Sequence, residues 1–277
     1  MRGHLLALLY SESMRLLKSS ACYAVVFVAL ALALMTALSS PDECNALLFM
    51  VAGDDPSRIG GAIGFIGNLI DSGNVVGSAV RTSLVFTIVW IFVVIIYSVF
   101  VTAQDYTAAS YAVSKARGLS EMSMVAAKFI VHSVFCCLLY LISCFIAFVC
   151  KTFQYGIMLT FEGIRDFAYP ALLSAIVLAT IFTETAALYQ LIRRAYLTVV
   201  VSVTLSLFIL MWFPSSYSGD MSSVSPILYL FPVFYLMNIC ALCIQSVGIG
   251  TIATYAALTC AITLFTSTGA LKWREVF

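Results

Sequence analysis

The sequence predicts an all-α polytopic membrane protein, one domain over residues 1–277 with six transmembrane helices. An N-terminal interfacial helix, a short charged helical insert between spans two and three, and a broken outer hairpin before span six complete it. Two observations carry this fold class. The chain is 62% hydrophobic and 10% charged, with a mean hydropathy of +1.06, whereas soluble domains are about half apolar and a quarter charged. A water-soluble fold of this composition would have no polar surface to present. The apolar residues also fall into runs of about 20, the length that crosses a hydrocarbon core as a helix. The net charge of +1, with no basic tract, argues against a nucleic-acid partner.

The runs lie at about 20–39, 83–103, 127–149, 169–191, 195–213 and 246–269. Arg2, Arg15 and Lys18 precede the first, as in a signal peptide, but the run exceeds a typical apolar signal region and more spans follow, so it is expected to be retained. Basic residues in the loops set orientation. With the N-terminus inside, Arg2, Arg15, Lys18, Lys115, Arg117, Lys128, Arg193, Arg194, Lys272 and Arg274 are cytoplasmic. Only Arg58, Arg81, Lys151 and Arg165 lie outside, where most of the acids also gather. Both termini are therefore expected in the cytoplasm, in a multi-pass protein of the cell membrane.

Residues 1–18 are too polar to span. Leu6, Leu9, Tyr10, Leu16 and Leu17 fall near one helical face, while Glu12, Arg15 and Lys18 lie largely elsewhere, the pattern of a helix resting among lipid headgroups. The alternative is a plain extension of span one, its charges snorkelling to water. Residues 40–82 are read as an outer segment. Its Gly61, Gly64 and Gly67 lack the strand–helix setting of a phosphate-binding loop, so an apolar loop or short amphipathic helix on the outer rim is expected. "IRR" at 192–194 is a tight inner turn. The apolar run 226–245 contains Pro226 and Pro232, which remove backbone donors that lipid cannot replace. It is read as a re-entrant hairpin rather than a seventh span.

Little in the sequence invites catalysis. The two histidines, His4 and His132, are far apart on dissimilar segments, which leaves no evident metal site or triad. Walker A, H-E-x-x-H and G-x-S-x-G patterns are absent. The lone Cys240-x-x-Cys243 reads as packing, and Cys44 can pair with Cys150 but nothing requires it. No catalytic or metal residue is assigned. Glu184 is the intramembrane charge that stands out, in the inner part of span four. The favoured reading is structural, with Glu184 paired to an inner-face Arg or Lys or reaching headgroup water.

The stretch "VTAQDYTAASYAVSKARGLSEMSMVAAKFI" interrupts the apolar runs with a charged insert at 105–120. Asp105 or Thr107 can cap a helix through about 117. Lys115 and Arg117 suit its last turn, and Gly118 supplies a left-handed stop. Ser120 then caps a helix with Glu121 in its first turn, running into span three.

This insert resembles the cytoplasmic segment of type-2 ABC transporter permeases, particularly the small ones of lantibiotic or bacitracin self-protection and peptide export. Asp105, "TAASYAVSKARGLS" and Lys128 follow that family's order, although Thr107-Ala108 replaces its usual Gly-Thr. "SESMRLLKSSACY", with Glu12, Lys18 and Ser19, is similar to its interfacial helix, and "SPILYLFPVFYL" to its broken outer hairpin. The resemblance implies a coupling helix in which Asp105, Tyr106, Lys115, Arg117, Gly118 and Glu121 contact an ATPase. It further implies two separate ATPase subunits that bind ATP and Mg, and a second permease copy or paralogue. No cofactor is expected in this chain, which would export a peptide, antibiotic or other amphipathic compound from a bacterial cell. Two other classes compete: an ion-coupled secondary transporter using Glu184, and a non-transporting membrane scaffold or sensor.

Overall fold

The computed structural model describes residues 2–38, 74–107, 118–216, 225–240 and 248–272, all helices and the turns between them. Six helices are long and apolar enough to cross a membrane, and they coincide with the six expected runs. The interfacial segment and the first span are separate helices, α1 (Arg2–Leu17) and α2 (Ser20–Leu38). Lys18 and Ser19 turn between them, with Lys18 N–H donating to Arg15 O, and Ser19 Oγ accepts from Cys22 N–H. A straight extension of span one is thus excluded. Helix α1 exposes Leu6, Tyr10, Met14 and Leu17, spaced four, four and three residues apart, and buries Leu16.

The second span begins earlier than its hydropathy suggests. Residues 75–82, expected in the outer segment, belong to α3 (Val75–Leu84), which leads directly into α4 (Thr87–Thr107). Its Ser78, Thr82 and Ser83 are buried. Their hydroxyls donate back to the carbonyls of Asn74, Ser78 and Val80, so their polarity is spent inside the helix. Asn74 caps α3 by accepting from Gly77 N–H at 2.8 Å. A Cβ at Gly77 would lie 2.6 Å from that side chain.

Span three is α5 (Glu121–Gln154) and span four is α6 (Phe161–Ile192). At 34 and 32 residues they run roughly 50 Å, well beyond a hydrocarbon core of about 30 Å. Helix α6 is the hub, packing against α3, α4, α5 and every later helix. Its apolar window is 72% buried, against 17% for the last span. Arg193 ends α6 in the left-handed region (φ 57°), which makes the tight turn expected at "IRR" before α7 (Ala195–Ser216).

After α7 come a 3₁₀ turn (Pro226–Leu230), extended Phe231, and α8 (Pro232–Cys240). Nine residues rise only about 13 Å, too short to cross, and every residue of α8 is buried, chiefly against α6 and α7. The hairpin is broken where Pro232 removes a donor. Its residues 241–245 lie outside the described segments. Span six, α9 (Ile249–Lys272), exposes Leu258, Ile262 and Phe265 outward.

Candidate functional site

Helices flank the charged insert on both sides. Asp105 and Tyr106 occupy the last helical turn of α4, so Asp105 continues that helix instead of capping a new one. Lys115 and Arg117 lie outside the described residues. Gly118 has φ +76°, the expected left-handed stop, with nothing within 4 Å of a would-be Cβ. Ser120 is the cap of α5, its Oγ accepting from Ser123 N–H, and Glu121 stands in the first turn.

Lys128 is not a loop charge. It is buried, and its Nζ donates to Val101 O at 2.7 Å, bracing α5 against the last turns of α4. The site suits it because the methylene stem packs in the core while the ammonium meets a backbone carbonyl. Lys151, counted among the outer charges, is also buried and donates to Gln154 Oε1. Gln154 Nε2 donates in turn to Ala37 O at the end of α2.

Helix α1 joins the same region through a residue that sequence reasoning set aside. Glu12 pairs with Arg15 at 3.5 Å on its own helix, and its other oxygen faces His132 Nε2 of α5 at 3.7 Å. His132 Nδ1 lies 2.7 Å from the Tyr97 hydroxyl of α4, and its ring stacks on Phe182 of α6 at 6.2 Å. One imidazole therefore lies where α1, α4, α5 and α6 meet. His132 stood in an apolar run and, like Glu184, was an ionisable residue at membrane depth. Its partner Glu12, far away in sequence, could not be read from spacing. Lys18 is exposed in the α1–α2 turn.

Glu184 lies about 12 Å of helix before the end of α6 at Ile192. Among the described residues no Arg or Lys pairs with it. Its carboxylate oxygen Oε1 is 3.1 Å from the Tyr255 hydroxyl of α9, which is also 3.1 Å from Leu230 O at the hairpin break. Tyr235 Oη donates to Tyr229 O one residue earlier. Two phenols thus stand beside the carbonyls exposed where the helix is interrupted, the condition for irregular backbone at depth. A cavity of about 80 Å³ adjoins the break, with Glu184, Thr185, Ser202, Ser206 and Pro232 among its lining residues.

Among the described residues no three His, Cys, Asp or Glu side chains come together as a metal site. Six long apolar spans, hydroxyls bonded inward and apolar stripes facing out define a multi-pass helical membrane protein. No protein-family model matches the sequence, and no curated protein is significantly similar to it.

Proposed function

We propose that this chain is the membrane subunit of an ATP-driven exporter of the ABC type. It would work with two ATPase subunits and a second permease copy or paralogue, and hydrolyse no ATP itself. The observation that carries this reading is the bracing around residues 105–120. Lys128 locks α5 to α4, Gly118 and Ser120 set a turn into α5, and Glu12 of α1 faces His132 on the same helix. A load applied to the insert would pass to α4 and α5 together, and through them to the hub α6. An ordinary solvated loop has no need of such support. The exposed apolar stripe of α1 fits a helix lying in the headgroup layer on the cytoplasmic side.

The cargo would be a peptide, antibiotic or other amphipathic compound, as the resemblance of the insert suggests. The test is co-purification of an ATPase subunit with the full chain and its loss in Arg117→Glu. An Arg117→Glu protein that inserts normally and keeps full ATPase association and stimulation would remove the coupling role.

An ion-coupled carrier is the second reading, favoured by Glu184 beside a broken helix and a small cavity. Transport in vesicles that follows an ion gradient without ATP would select it.

A further inference from the structure

We propose that Glu184 holds an exchangeable proton, and that this proton completes a hydrogen-bonded chain from α6 through Tyr255 to the broken hairpin. The inference depends on neither transport reading.

The argument is a count of hydrogens. Tyr255 Oη lies 3.1 Å from Glu184 Oε1 and 3.1 Å from Leu230 O. A phenol has one proton to donate and lone pairs with which to accept. An ionised carboxylate and a backbone carbonyl can only accept. With Glu184 ionised, one proton faces two acceptors, and the charged one takes it. Leu230 O then loses the Tyr255 donor, at a break where Pro232 has no N–H to offer. With Glu184 protonated, its hydroxyl donates to Tyr255 Oη, and Tyr255 donates to Leu230 O. Both contacts become hydrogen bonds, and no group is left over.

Among the described residues no Lys, Arg or Asp pairs with Glu184; Tyr255 is its hydrogen-bond partner, and Thr259 also hydrogen-bonds the Tyr255 hydroxyl. Helix α9 also brings Cys260 near, and α8 brings Tyr235, whose ring centroid is 4.5 Å from that of Tyr255. Helix α7 contributes the hydroxyls of Ser202 and Ser206, and α4 contributes Ile95. From α5, His132 stacks on Phe182 of the same helix as Glu184, but its nitrogens face Tyr97 and Glu12. The cavity beside Glu184 is large enough for water, so the proton leaves to water and returns from it, with no other co-reactant. Loss of the proton turns Tyr255 toward Glu184 and releases Leu230, which makes the hold on the hairpin depend on protonation.

The test is pH-difference infrared spectroscopy of the full chain in lipid nanodiscs, in H₂O and D₂O. Wild type should show a carboxylic-acid carbonyl band that Glu184→Gln loses. The Gln amide still donates to Tyr255, so this variant should keep the hairpin in place. Tyr255→Phe should shift the wild-type band, because the acid loses its phenol acceptor, and this comparison needs no change at Glu184. Superimposable wild-type and Glu184→Gln spectra over the whole folded pH range would show a permanently ionised carboxylate and overturn the proposal. So would a band indifferent to Tyr255→Phe. Neither measurement requires an ATPase or a cargo, so failure of the exporter reading leaves this result standing, and the reverse.

Discussion

The Lys128 ammonium donates to the carbonyl oxygen of Val101, 2.7 Å away on the neighbouring helix. The bond spans the two helices that border the charged insert, and Lys128 is buried. A hydrogen bond with a charged partner contributes about 1.5–3 kcal/mol. Lys128→Met keeps the apolar stem and removes the donor. It should lower thermal stability in detergent by about that amount, whereas Lys128→Arg should lose less. Equal stability of Lys128→Met and wild type would show that the contact contributes nothing.

Gly118 tests backbone against bulk. Its φ of +76° disfavours any side chain, yet the space around it is open. A β-branched residue resists that conformation, while Asn tolerates it. Gly118→Val should therefore abolish cargo-stimulated ATP hydrolysis by the assembled complex, and Gly118→Asn should retain most of it, with both proteins inserted normally. Identical behaviour of the two variants would refute the conformational explanation.

Orientation can be checked at two described turns. Met158, 86% exposed, lies between α5 and α6, and Arg194 lies between α6 and α7 at the opposite end of the bundle. In a background without reactive cysteines, Met158→Cys should label with an impermeant thiol reagent in intact cells. Arg194→Cys should label only after permeabilisation. The reverse pattern would invert the topology inferred from the basic residues.

The Glu12–His132 contact ought to be energetic and not incidental. Glu12→Gln and His132→Asn, singly and together, should show a coupling of roughly 0.5–1 kcal/mol in thermal unfolding. Purely additive effects would mean that α1 is held by its apolar packing alone.

How much of this was legible beforehand follows from the range of each interaction. Hydropathy is a local property, and it placed all six spans. The caps at Gly118 and Ser120 and the tight turn at Arg193 also depend on neighbouring residues, and they too could be read directly. Residues 75–82, read as part of the outer segment, lead into span two instead, because Ser78, Thr82 and Ser83 bond to their own helix backbone and so enter the core without a distant partner. Asp105 looked like the start of a helix because its side chain can cap one, but the preceding span simply continues through it.

What the sequence by itself determined is the number and approximate place of the membrane spans, since each one satisfies its backbone internally wherever it sits in lipid. Tertiary structure alone decided which polar side chains meet. Glu12 with His132, Lys128 with Val101, and Glu184 with Tyr255 are joined across helices by chain separations that no periodicity encodes. Polar groups in a low-dielectric interior are costly without partners, and only the packing of the helices against one another settles which one each meets.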